Sequence, residues 1–375
     1  MESSRVKIAH VLHSVGGVDV SLRLIVENLN SNKFENIVIH GKKDTQKPFL
    51  DSKKNIIRNY RTTIFRDIYI VEDIKSIIDT YRILKKERPQ IIHAHSAKGG
   101  VVGRIVGKLL NIKVYYTPQA FSYLSTQNKF KKQLFLFIEK LLRFDNCYIL
   151  AASNSEKNRA INEVCYKSEK VLLFNNCINP IQISSQMKIV KNWPDEYICT
   201  VGRPSYQKNI ELMIEVLFEI NKIQNLHLVI MGVGHHVGQL ESVKNLIIKL
   251  NMSNKVTLLE WTERNDVFNI ISKSKLYIST ARYEGLPYSI IESLALSKPC
   301  VVSNCDGNVD IIKDGYNGNV ITNGSILSYK NKITKLLNDE KQLKEYSENA
   351  YQTFCNHFDI TKKIQELESI YLSEL

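Results

Sequence analysis

Short apolar runs alternate with amphipathic stretches along most of this chain, and the alternation restarts once after a polar segment containing Pro194. The first series has strand candidates at 7–15, 36–41, 91–95, 113–117, 147–153 and 171–177, with helical spacing between them, as over 19–29 and 98–110. The second has strand candidates at 197–202, 226–232, 255–261, 276–281, 300–304 and 319–322. Its helices begin with 209–223, and beyond 326 only helical patterns remain, ending in 359–375. Parallel strands need crossover connections, and repeated strand–helix–strand units give a parallel sheet covered on both faces. The expected fold is therefore α/β, with two Rossmann-like, doubly wound lobes facing a central cleft, followed by C-terminal helices. Ligands in such sheets bind beyond the carboxyl ends of the strands.

A chain of 375 residues is long for one domain and comfortable for two. The expected division is a first lobe over 1–185, a linker over 186–196, a second lobe over 197–357, and a final helix over 358–375 packing back on the first lobe. No run approaches the roughly 18–20 apolar residues that span a bilayer, and MESSRVKIAH contains no apolar leader core. A cytoplasmic location is expected. Seven scattered cysteines, with no C-x-x-C pair, read as reduced thiols and offer no zinc-type spacing.

The charge of +13 is unevenly placed. Residues 1–185 carry 30 Lys and Arg against 16 Asp and Glu, a surplus of 14, whereas the remainder is one charge negative. A basic half attracts anionic partners such as phospholipid or lipid-linked diphosphate. No helix-turn-helix, RNA-binding aromatic motif or zinc finger points to nucleic acid.

The strongest local signal lies in 279–307. A strand ends at Thr280, a loop carries Glu284, Gly285, Leu286 and Pro287, and a helix follows with Glu292. Proline suits the first helical turn, where its missing N–H costs nothing. The helix start and the loop amides make an anion site suited to a diphosphate. Carboxylates at 284 and 292 accept hydrogen bonds from sugar and ribose hydroxyls. A second signal, VGRPSYQKNI, ends a strand at Gly202 and sets Arg203 and Lys208 around a helix start, a cationic clamp for pyrophosphate.

The E-G-L-P-x-x-x-x-E block resembles the E-x(7)-E signature of retaining family 4 glycosyltransferases with the GT-B fold, of the bacterial polysaccharide-biosynthesis type. The resemblance covers nearly the whole chain. It implies that Glu284 contacts the donor sugar, that Glu292 binds the ribose, and that Arg203 and Lys208 hold the diphosphate. The glycine loop at Gly16 and Gly17 resembles the family's loop bordering the donor from the opposite lobe. Gly232 and Gly234 look like its G-x-G turn near the nucleotide, and His235 and His236 are read as exposed turn residues. The family's frequent histidine after a first-lobe strand is replaced here by Gln119, with His95 as a partial substitute. His93 and His95 are read as facing opposite sides of their strand, unable to share a metal. The block at Gly307, Asn308 and Asp310 resembles a G-G-x-x-E element, Asp310 being equally readable as a helix-start acid.

No D-x-D triplet occurs in the sequence, so Arg203, Lys208 and helix amides are the expected charge stabilisers, with neither metal nor cofactor. The resemblance implies transfer with retention, from a nucleotide-sugar donor of the UDP type, to a lipid-linked saccharide acceptor in surface polysaccharide synthesis. The alternatives are a two-lobed nucleotide-sugar epimerase or hydrolase and a non-catalytic membrane-associated binding protein. The basic lobe implies peripheral association with an anionic membrane surface, at the inner face. The amphipathic stretch 128–144 reads either as a helix on anionic lipid or, preferred here, as a helix covering the first-lobe sheet.

Overall fold

The computed structural model describes residues 5–65, 67–184, 187–234, 239–260 and 262–373. It divides into two compact units, Met1–Asn179 with Ile360–Leu375, and Pro180–Asp359.

The first unit is a seven-stranded parallel sheet of β1 (Val6–Val11), β2 (Phe34–Gly41), β3 (Arg58–Thr62), β4 (Ile91–His95), β5 (Lys113–Thr117), β6 (Cys147–Ala151) and β7 (Val171–Leu173). The spatial order is β3-β2-β1-β4-β5-β6-β7. Its helices are α1 (Gly17–Asn28), α2 (Ile70–Glu87), α3 (Ser96–Leu110), α4 (Lys129–Leu141) and α5 (Asn154–Asn162). Central strands such as β4 are buried throughout, the two histidines of β4 included. Strand β3, RNYRT, is absent from the expectation because it lies at the sheet edge, largely in water, and carries no apolar pattern.

The second unit repeats the plan with β8 (Tyr197–Val201), β9 (His227–Met231), β10 (Val256–Leu259), β11 (Tyr277–Ser279), β12 (Cys300–Ser303) and β13 (Gly318–Ile321). Their order is β10-β9-β8-β11-β12-β13. The helices are α6 (Ile210–Asn221), α7 (Leu240–Lys249), α8 (Arg264–Lys273), α9 (Tyr288–Ala295), α10 (Asn308–Ile311), α11 (Ile326–Leu337) and α12 (Glu340–His357). The sheet buries Ile198, Leu228, Ile230, Ile278 and Val301 against Met213, Leu217 and Tyr329. In both sheets the order of strands reverses beside the first strand, between β1 and β4 and between β8 and β11. Loops leaving those neighbours diverge and leave room for a ligand.

The last helix, α13 (Ile360–Leu372), belongs to the first unit. It buries Ile364, Leu367 and Tyr371 with Ile8, Phe34 and Ile91. Tyr115 donates to the Ile370 carbonyl at 2.9 Å, and Glu368 accepts from the Asn30 amide at 2.9 Å.

Two expectations shift. The boundary falls at Asn179 and Pro180, and 187–196, the part of the expected linker within the described residues, is not a free linker. The Lys188 and Ile189 amides donate to the buried Asp266 at 3.0 and 3.2 Å, and buried Trp193 meets Tyr197 edge-on. A buried carboxylate requires donors and an indole seeks apolar cover, so the segment is held on the second unit. Helix α4 does pack Phe135 and Leu136 on the sheet side, but it leaves Phe130, Leu134, Phe137 and Leu141 in solvent.

Candidate functional site

In the second unit the chain leaves β8 through Gly202 and Arg203 and leaves β11 through Thr280, Glu284 and Pro287. Because β8 and β11 are neighbours, these loops meet. The Arg282 amide donates to the Gln207 carbonyl at 2.8 Å. The Thr280 hydroxyl lies 3.1 and 2.9 Å from the Lys208 and Asn209 carbonyls. Thus braced, Lys208 Nζ lies 2.7 Å from Glu284 Oε1, and Gln207 Nε2 lies 3.2 Å from Oε2. A Cβ on Gly202 would sit 3.2 Å from the Lys208 side chain, so glycine gives that lysine room to fold back over the backbone. Burial works against the Lys208 charge, but the adjoining Glu284 carboxylate wins and holds the ammonium above the ordinary lysine range.

Glu292 is buried on α9 and is paired with Arg264, the first residue of α8. Burial pushes the Glu292 carboxyl up, and Arg264 opposes that rise. The Arg264 guanidinium also lies 5.2 Å from the Phe268 ring centre. Sequence reasoning missed Arg264; no local motif marks it, and only the packing of α8 brings it to Glu292.

Pro287 takes the capping position of α9, one residue before the first turn. Gly285 and Leu286 precede it, and Leu286 is buried. Gly307, at φ 77°, lies so close to this loop that a Cβ would stand 2.6 Å from the Gly285 carbonyl oxygen. Asp310 accepts from the Gly307 amide at 3.1 Å, acting as a helix-start acid. Asn308 is buried and donates to the Ser303 carbonyl at 3.2 Å. The Gly202 amide donates to the Met231 carbonyl at 2.9 Å, which sets Gly232, at φ 85°, beside it. Gly234 follows over open space; His235 and His236 lie outside the described residues. Arg203 is exposed at the end of β8.

The first unit holds the other expected residues. Gly16 caps α1 at φ 61°, and Gly17 opens the helix. Their loop is braced by Asp44, which accepts from the Ser14 amide at 2.5 Å and lies 2.7 Å from His13 Nδ1. Burial alone would raise the Asp44 carboxyl, but hydrogen bonds from His13, His40 and Ser14 pull it far below the carboxylate range. Asp44 was also missed. Gln119 sits in left-handed backbone at φ 54°, and its buried Nε2 has no hydrogen-bond partner among the described residues.

His93 and His95 do not face opposite ways. Residues two apart on a strand share a face, and their rings lie 3.9 Å apart between centres. With His10 they form a fully buried cluster in which one ring nitrogen from each lies within 4.8 Å of the others. His10 Nδ1 meets His95 Nε2 at 3.1 Å, and His10 Nε2 meets Asn36 Oδ1 at 3.1 Å. His93 joins Tyr371 of α13 at 2.7 Å and Thr117 at 2.9 Å. Burial lowers all three, His10 to about 4. His95, expected as a partial substitute for the family's histidine, is instead an interior group joined to this network.

The sequence model described as "Glycosyl transferases group 1" matches residues 183–353, and that described as "Glycosyltransferase Family 4" matches residues 15–182. An Escherichia coli UDP-Gal:alpha-D-GlcNAc-diphosphoundecaprenol alpha-1,3-galactosyltransferase is 29% identical, over 98% of this chain and 97% of its own. Among solved structures, sucrose-phosphate synthase from Thermosynechococcus elongatus superposes with a TM-score of 0.86 at 17% identity, covering 98% of this chain and 99% of that one. Anabaena HepE in complex with UDP and glucose gives 0.81 at 18% identity, covering 99% and 100%. With a parallel doubly wound sheet in each unit and family matches across both, this chain belongs to the family 4 glycosyltransferases of GT-B fold.

Proposed function

We propose that the protein transfers a sugar from a UDP-sugar, with retention, onto a lipid-linked saccharide during surface polysaccharide assembly. The observation that carries this reading is the convergence of Lys208 and Glu284 where the strand order reverses, beside the start of α9. The leaving nucleoside diphosphate develops charge on its phosphates. Lys208, Arg203 and the amides around Gly285 and Leu286 are the groups proposed to meet it, without a metal. Glu284, fixed by Lys208 and Gln207, accepts hydrogen bonds from the sugar hydroxyls, and Glu292 accepts from the ribose. Gly202, Gly232 and Gly234 let backbone approach the nucleotide. Gly16 and Gly17 serve the donor, and Gln119 offers its side-chain amide to a phosphate or hydroxyl. A phosphate oxygen of the leaving group takes the acceptor proton, so no protein base is required.

The lipid-linked acceptor is supported by the E. coli relative, whose name specifies a diphosphoundecaprenol substrate. On this reading the acceptor is met at the inner face of the cytoplasmic membrane, and the basic first half supports peripheral attachment there. Among the described residues no helix is long and apolar enough to cross a bilayer.

Incubation with radiolabelled UDP-galactose, EDTA and GlcNAc-diphosphoundecaprenol tests the proposal. Label moving into the lipid product with its anomeric configuration kept is the expected result. Label released only as free sugar would mark a hydrolase, and conversion of the donor without transfer would mark an epimerase.

A further inference from the structure

Helix α4 is oriented the wrong way round for a solvent-facing helix. Its inner face carries the carboxylate of Glu139, which is buried and lies 2.8 Å from the guanidinium of Arg104, itself fully buried, and 3.1 Å from the Tyr116 hydroxyl. Its outer face carries Phe130, Leu134, Phe137 and Leu141, exposed by 79, 43, 62 and 63%. These four recur at i, i+4, i+7 and i+11, a single narrow stripe along the helix. A buried charge pair is costly to break, so the Arg104–Glu139 pair fixes which side of α4 faces out. The stripe is thus held in water, where each large apolar side chain is unfavourable unless something covers it.

The flanking charges say what covers it. At 100° per residue Lys131 lies to one side of the stripe and Lys129 and Lys140 to the other. The only acid of the helix is Glu139, which is buried. Long cationic side chains beside an apolar face can rise to phosphate while the face enters the acyl boundary. We infer that the outer face of α4 is a docking surface for an anionic lipid bilayer, inserting Phe130 and Phe137 below the headgroups. This deepens the reading above, in which the acceptor is membrane-borne, by naming the surface that reaches it.

The test is co-sedimentation of the full chain with vesicles of phosphatidylglycerol and phosphatidylcholine, and with phosphatidylcholine alone. The intact protein is expected to bind the anionic vesicles, more weakly as salt rises. A Phe130→Ser/Phe137→Ser variant should lose at least about tenfold in partitioning, and Lys129→Gln/Lys131→Gln should lose binding selectively on anionic vesicles. Both pairs are exposed, and unchanged thermal unfolding verifies the fold. Wild-type affinity in the serine variant, or no vesicle binding by the intact protein, would overturn the inference. So would a dimer in sedimentation velocity that dissolves in the serine variant without any vesicle binding, which would assign the stripe to a second copy. UDP-sugar binding in vesicle-free solution separates the two proposals: its absence would sink the donor reading and leave the docking surface standing.

Discussion

Lys208 Nζ and Glu284 Oε1 lie 2.7 Å apart although 76 residues separate them in the chain. The pairing exists because β8 and β11 are neighbours in the sheet and adjoining loops share backbone hydrogen bonds. It also sets the price of disruption: an acid or a base left alone in a buried site loses its compensation. Lys208→Ala should lower kcat/KM by about a hundredfold or more, equivalent to roughly 3 kcal/mol. Glu284→Gln keeps the hydrogen-bonding shape and should be milder. A double substitution no worse than Lys208→Ala alone, read by steady-state kinetics, would show that the two act as a unit; fully additive losses would show that they do not.

Arg264 and Glu292 make a second prediction. Burial already raises the Glu292 carboxyl, and Arg264 restrains it. Removing Arg264 frees that rise, so Glu292 takes up its proton at a higher pH in the variant than in the native protein. Protonation removes an acceptor for ribose hydroxyls. UDP binding to Arg264→Ala should therefore weaken more between about pH 8 and about pH 6 than in the native protein. Calorimetric titration at both values checks this; parallel pH dependence would separate Arg264 from the ribose.

The histidine cluster links stability to pH. His10, His93 and His95 stay neutral in the fold below their ordinary value of 6.5, His10 down to about 4. An unfolded chain takes up these protons near 6.5. The stabilising contribution is thus complete above that pH and is lost as pH falls through the window towards 4. Each histidine adds up to about 1.4 kcal/mol per pH unit to the slope. Urea unfolding across this window should show the loss, and His10→Asn should flatten the slope; an unchanged slope would contradict the assignment.

Gly307→Ala should damage stability and donor binding together. The new Cβ would meet the Gly285 carbonyl oxygen at 2.6 Å, and φ is 77°. Backbone strain alone costs about 1–2 kcal/mol, and relief requires the Glu284 loop to move. Thermal unfolding and UDP-sugar affinity measured on one preparation test the coupling. A loss of stability with full affinity would confine the effect to packing.

Much of this was written in the sequence. Strands β4 and β5 occur over the expected residues because each is a short run of mostly apolar or aromatic residues bounded by polar turns. Lys208, Glu284 and Gly285 are legible as donor-site candidates from strand-end loops and their motif, whereas the direct Lys208–Glu284 pair comes only with the structure. What the sequence hid has physical causes. Arg264 reaches Glu292 only through helix packing. Strand β3 is polar because it is an edge. The spacing of 130, 134, 137 and 141 is the same whether a helix faces in or out, and the buried Arg104–Glu139 pair that decides the matter joins two different helices. The reading of His93 and His95 failed on strand periodicity itself, which places alternate residues on one face.

The central claim is that this second-unit site grips a nucleotide diphosphate without a metal. Calorimetric titration of UDP-sugar into the protein in EDTA, native and Lys208→Ala, tests it most directly. The account predicts saturable binding by the native protein and a loss of about thirtyfold or more in the variant. Equal affinity in the two proteins, or native binding that appears only when a divalent cation is restored, would contradict it.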